Sequence, residues 1–162
     1  MRKTLLLTMS LLLCLSANAG EEKKLRLEKE VMATVNRFLH SINTGDVALM
    51  AEVSRPDSMN YTRIQLSDGT FHTKARPQTH FLEKRENEPK FTERIWNPIL
   101  LVDEQIAVVW APYDFHIDGE FSHCGIDIFN LLYEEGKWKV ANSSWTVIKN
   151  GCEPSPLGGL SE

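Results

Sequence analysis

Residues 91–149 form an almost unbroken succession of β-type runs, cut at Asp103-Glu104, at Asp118-Gly119 and at 134–137, where Gly136 lies. Asp-Gly between two such runs is a strong signal for a two-residue hairpin, because glycine takes the positive φ that the turn needs. The pattern predicts long strands over 91–102, 105–117, 120–133 and 138–149. A sheet of that size must bury at least one face, and its cover must come from elsewhere in the chain.

The cover precedes it. Leu27, Val31, Val35, Phe38 and Ile42 recur at spacings of three and four, which predicts a helix over 25–43 with one apolar stripe. Gly45 is placed to end it, and Asp46 to cap a second, short helix over 47–53. Arg55-Pro56-Asp57 breaks that helix. A strand over 59–66, a turn at Ser67-Asp68-Gly69 and a short return strand over 70–73 follow. Pro77 suits the first turn of a third helix over 77–86, ended by the stretch 85–89. The fold class is therefore α+β: three N-terminal helices on one face of a curved antiparallel sheet.

The N-terminus has a separate logic. Arg2 and Lys3 precede an uncharged, leucine-dominated run of 11 residues, 5–15, and then Ser16-Ala17-Asn18-Ala19. That is the order of parts in a cleavable signal peptide, 1–19, with Gly20 as the mature start. The run is too short to span a bilayer, which takes about 20 residues. Glu21-Glu22-Lys23-Lys24 follow at once, which argues against a buried helix. Cys14 falls in the discarded segment. Losing Arg2 and Lys3 turns a net charge of −4 into −6. An acidic chain with no basic stripe argues against nucleic-acid binding. After cleavage nothing apolar is long enough for a membrane helix. One domain, 20–150, is expected, followed by a flexible tail, 151–162, rich in glycine and proline. Cys124 and Cys152 remain; export permits a disulfide, but whether two cysteines so far apart in sequence meet stays open.

The turn at Asp118-Gly119 sets a register: Ile117 opposite Glu120, Phe115 opposite Ser122, Tyr113 opposite Cys124, Val109 opposite Ile128. The next turn places Trp138 opposite Tyr133 and Val140 opposite Leu131. Alternation then collects Ile106, Val108, Trp110 and Asp114 with His123, Asp127, Phe129, Leu131, Trp138, Val140 and Asn142 on one face. This face is apolar at one end and polar at the other, as suits a core that opens into a pocket. The other face carries Val109, Ala111, Tyr113, Phe115, Cys124, Ile126 and Ile128. A one-residue bulge would swap part of the assignment, and Pro112 is a plausible place for one. Two apolar faces imply a cover for the second, and a homodimer through the sheet is the expectation.

With three helices before a bent sheet, the chain resembles the cone-shaped nuclear transport factor 2-like superfamily. The segment 107–115, then Asp118-Gly119, then Ser122-His123-Cys124-Gly125-Ile126-Asp127, and finally Gly136-Lys137-Trp138-Lys139-Val140, is similar to the C-terminal half of bacterial SnoaL-like or lumazine-binding members. The resemblance covers about 28–150. It implies a cone, and in enzymatic members an acid or base above an apolar floor. His123 and Asp127 fit that idea. The tyrosine-plus-aspartate pair of the isomerases and the Asp-Arg-Asp set of the epoxide hydrolases have no clear match. A shared fold licenses no shared chemistry.

His123 and Asp127 are four apart on one strand, about 13 Å along it, and point the same way. In one reading Asp127 is a base and His123 a proton carrier. In the other, Asp127 bonds Asn142 or Ser144 and His123 sits at a rim. Trp110, Asp114, Phe129 and Asn142 are the ligand-binding candidates. Trp110, Phe129 and Trp138 could stack on a flat ligand or simply form core. His116, Asp118, Glu120 and His123 ring the hairpin tip but lack the spacing of a zinc site. His40, His72 and His80 read as surface or loop positions, and 83–88 as a solvated charge run. Asn60-Tyr61-Thr62 and Asn142-Ser143-Ser144 match the glycosylation triplet. No phosphate loop, nucleophile elbow or zinc-protease helix occurs, and no cofactor or metal is implied. The leading function is an exported binder of a small, partly apolar molecule. The alternatives are an acid–base enzyme of isomerase, dehydratase or cyclase type using Asp127 and His123, and a protein-interaction module using the apolar sheet face.

Overall fold

A computed structural model of the chain describes residues 3–83 and 88–160, with side chains from Gly20 onward. Helix α1 spans Lys3–Thr44 and α2 spans Val47–Val53. The strands are β1 Met59–Gln65, β2 Phe71–Pro77, β3 Phe91–Ile95, β4 Ile99–Val102, β5 Ile106–Ile117, β6 Glu120–Glu134 and β7 Lys137–Val147. All seven belong to one sheet in the order β2-β1-β7-β6-β5-β3, with β4 beside β3 on β5. Every pairing is antiparallel except β1 with β7, which is parallel.

Among the described residues the α-helices number two, not the expected three. Pro77 ends β2 in extended conformation instead of opening a helix, and only one 3₁₀ turn, Gln78–Phe81, follows. The Gln78 N–H donates to Ser58 O, so the segment is tied to the start of β1 instead of winding on. The rest of the expected third helix and of the charge run 83–88 lies at 84–87, outside the described residues. Helix α1 begins far before residue 25, since nothing in Glu21-Glu22-Lys23-Lys24 breaks a helix. The single strand expected over 91–102 is two: Asn97 takes φ 45° and Pro98 follows. Both pieces pair with β5, on either side of Ala111-Pro112. There the Trp96 N–H donates to Pro112 O.

Asp46 caps α2 by accepting from the Leu49 N–H at 2.9 Å, and Gly45 takes φ 65° after α1. Both tight hairpin turns, Asp118-Gly119 and Glu135-Gly136, have positive φ at both residues. The apolar stripe of α1 (Val31, Val35, Phe38, Leu39), with Met50 and Val53 of α2, buries against Val109, Phe129, Leu131, Trp138 and Val140. The Phe38 and Phe129 rings meet edge-on at 5.7 Å. Each such side chain contributes about 1.5–3 kcal/mol by leaving water. The helices cover only that end of the inner face, and the other end stays open.

Beyond Gly151 the described tail has no regular structure but is held at two points. Cys152 forms a disulfide with Cys124 of β6, and Arg94 donates to Gly158 O at 2.9 Å. No described helix is long and apolar enough to cross a membrane.

Candidate functional site

Two bulges decide which side chains face inward. Near the turn, Ile117 pairs with Glu120 and His116 with Phe121. The ladder then shifts between Phe115 and His116, so that Phe115 pairs with His123, skipping Ser122. The bulge therefore lies at Ser122, not at Pro112. Beyond it, Tyr113 faces Gly125, Ala111 faces Asp127, Val109 faces Phe129 and Ala107 faces Leu131. A second shift leaves Ala141 unpaired, which turns Ser143 inward and Asn142 outward.

The consequence divides the candidates. His123, Asp127 and Phe129 line one cavity. Trp110, Asp114 and Asn142 lie on the opposite face, because a one-residue slip moves every side chain across the sheet. Trp110 is 38% exposed there. Asp114 is buried under Arg94, whose Nε and Nη2 donate to its carboxylate at 2.9 and 2.5 Å. Asn142 accepts from Asn130 Nδ2. Trp138 is core. His116 packs beside Asp114 on the outer face, 3.8 Å away, while His123 faces in. The tip residues thus do not converge, and among the described residues no metal-ligand cluster forms.

Gly125 of β6 packs directly on Thr146 of β7. A Cβ there would sit 2.0 Å from Thr146 O, so only glycine fits. Tyr113 crosses above it and donates its hydroxyl to Thr146 O at 2.7 Å, and Thr146 Oγ1 accepts from the Ile126 N–H. This joins β5, β6 and β7 at the cavity wall.

Glu93 completes the site. It occupies the inward position of β3, between Phe91 and Ile95. Asn43 near the end of α1 holds its backbone at both ends: Nδ2 donates to Glu93 O, and Oδ1 accepts from the Glu93 N–H at 2.7 Å. The Glu93 and Asp127 carboxyls both line the cavity, close enough to influence each other's ionisation. Asp127 is 4% exposed, and its Oδ2 has no hydrogen-bond partner among the described residues. Ionising both carboxyls in this buried place is unfavourable, so the pair favours keeping a proton. Burial raises Glu93 to about 7. Burial, then the charge of Glu93, raises Asp127 well above the usual range. Burial and the two neighbouring carboxyls likewise keep the Tyr113 phenol protonated. His123 moves the other way: burial and the charge of Lys149 lower it to about 4. It is a neutral imidazole at pH 7, stacked on Phe115 at 4.8 Å with Nδ1 3.0 Å from Ser122 Oγ.

The enclosed volume is about 830 Å³. Phe38, Met50, Phe81, Phe129 and Trp145 supply its apolar wall, and Asn60, Thr62, Gln78 and Ser143 a polar strip along β1 and β7. Exposed Lys74 and Arg76 of β2, with Lys90, Glu83 and Glu88, border the opening. Glu93, Tyr113 and Gln78 were not among the sequence-derived candidates. A lone acid in the apolar alternation Phe91-x-Glu93-x-Ile95 was the available signal.

The sequence matches no protein-family model and no curated protein. Solved structures do match. A nuclear transport factor 2-like superfamily protein from Salmonella enterica serovar Typhimurium is similar over 82% of this chain and 99% of its own, at 16% identity and a TM-score of 0.61. A nuclear transport factor 2-like protein from Cytophaga hutchinsonii is similar over 75% and 98%, at 13% identity and 0.62. A cystatin-like-fold protein from Nostoc punctiforme is similar over 80% and 94%, at 15% identity and 0.57. The chain has the nuclear transport factor 2-like fold, and identities this low speak to the fold alone.

Proposed function

We propose that this chain is an exported domain that binds a small, partly apolar molecule inside the cone. The carrying observation is the cavity of about 830 Å³, lined by aromatic and aliphatic side chains together with polar and charged ones. That size and lining are typical of small-molecule sites. Export is favoured by the order of charge, leucine run and small residues over 1–19, and the Cys124–Cys152 disulfide suits an oxidising compartment. Native mass spectrometry of protein purified from its own host should show a chain beginning at Gly20 with an added ligand mass. A bare mass, with no change in Tm across a panel of small aromatic and alicyclic compounds, contradicts the reading.

A second reading has its own support. The proton held by Glu93 and Asp127 sits in the cavity wall, with Glu93 near 7. A carboxyl so tuned can accept or return a proton at neutral pH. The reaction class would be isomerisation, dehydration or cyclisation, with the carboxyl pair moving the proton and neutral His123 bonding the ligand. An Asp127→Asn protein that keeps its ligand but loses turnover would single out this reading; unchanged turnover would remove it.

The outer sheet face supports a homodimer. Ile99, Leu101, Ile106 and Trp110 are exposed on it together, and a contiguous apolar patch of that kind marks an interaction surface.

A further inference from the structure

We infer that the cavity's ligand is an organic carboxylate, its acid group held by Gln78 and Arg76 at the β1–β2 side and its apolar body reaching toward the carboxyl pair. This rests on the reading of the cone as a small-molecule site. The argument begins at a backbone N–H, which can only donate. The Ser143 N–H donates to an Asn60 side-chain atom at 2.8 Å, so that atom is the carbonyl oxygen Oδ1. The other end of the amide is then Nδ2, a donor. It bonds Gln78 at 2.8 Å, so the Gln78 atom it meets is Oε1. The amide orientation of Gln78 is thereby fixed, and Nε2 is the end left over. Gln78 is 1% exposed, lines the cavity and leaves Nε2 without a partner. A buried donor in this state is unfavourable, and an acceptor would offset it.

The charge of that acceptor follows from its neighbours. Arg76 is two residues before Gln78 and pairs with Asn60, and Lys74 pairs with Thr62. Both cations border the same cavity. Among the described residues neither forms an ion pair, although Glu83 and Glu88 also stand at the opening. A fixed amide donor on the same cavity as two cations that form no ion pair among the described residues suits an anionic oxygen pair. The acid end belongs here and not at Glu93 and Asp127, where a second anion would meet carboxyls.

Isothermal titration calorimetry at pH 7.5 tests this with 2-naphthoate and decanoate, each against its neutral primary amide. The carboxylate of at least one pair should bind about tenfold tighter than its amide, and added salt should erode that margin. Lys74→Gln/Arg76→Gln, on exposed strand positions, should abolish the margin while amide binding stays. Gln78→Glu keeps the bond from Asn60 and should reject the carboxylate. Asp127→Asn should leave the margin intact. Equal binding of acid and amide, unmoved by these variants, overturns the inference and leaves the small-molecule site standing. No binding by any of the four compounds overturns both.

Discussion

The carboxyl of Glu93 on β3 lies within electrostatic reach of the carboxyl of Asp127 on β6, in one cavity, although the whole of β5 lies between their strands. The sheet must curl for this to happen, and Ala111, the small partner opposite Asp127, leaves room above β5. Neither carboxyl has its usual acidity: burial raises both, and the charge of Glu93 raises Asp127 further.

The pair makes stability fall with rising pH. Both carboxyls bind protons more tightly when folded; the Glu93 contribution is fully present below about pH 4.5 and is lost as pH rises through about 7, and the Asp127 contribution is lost at a pH above the usual aspartate range. For Glu93 the loss is at most about 3 kcal/mol. His123 has the opposite sign: its contribution is present above about pH 6.5 and is lost as pH falls through 4. Urea unfolding of the wild type should therefore peak in mildly acid buffer. Asp127→Asn should be more stable than wild type at pH 8, and the gain should vanish near pH 4. A constant difference across that range would refute the assignment.

Gly125 should not tolerate a methyl group. Gly125→Ala puts Cβ 2.0 Å from Thr146 O, a backbone atom that β6 and β7 cannot both move away from. The expected loss is about 3 kcal/mol or slightly more, at the upper end for overpacking. Thermal unfolding measures it. A variant as stable as wild type would show that β6 and β7 do not approach this closely at Thr146.

The disulfide should stabilise the chain in oxidising buffer. Cys124 and Cys152 close a loop with a sequence separation of 28. Loop entropy of that size contributes about 3–4 kcal/mol. Cys152→Ser should lose about that much relative to oxidised wild type and match wild type treated with reductant. Equal stability of oxidised and reduced wild type would contradict the pairing.

If the outer face is a dimer interface, one charge at its centre should split it. Trp110→Glu should sediment as a monomer at micromolar concentration, with Tm changed only through the lost association. A wild-type protein already monomeric at that concentration would remove the proposal.

The sequence makes the strand succession, both glycine turns, the α1 stripe and the cap of α2 legible, because each rests on local chemistry. What it hides depends on single-residue offsets. On β5, Ile106, Val108 and Trp110 are as apolar as Ala107, Val109 and Ala111, so alternation expresses no preference for either face. The bulge at Ser122 makes the choice, and nothing local announces it. Hence His123 and Asp127 line the cavity while Trp110 and Asp114 do not. Pro77 misleads for a related reason, since its φ suits the end of a strand as well as the start of a helix. Glu93 is invisible until β3 is docked, for its meaning comes from Asp127, which is 34 residues away.

The proton kept by Glu93 and Asp127 is tested most directly by a carboxyl ¹³C NMR titration of the whole chain. One side-chain carboxyl should titrate near pH 7 and a second should stay protonated above the normal aspartate range. Glu93→Gln should remove the first and bring the second down. If every carboxyl titrates below about pH 5, the pair keeps no proton, and the acid–base account of the cone is wrong.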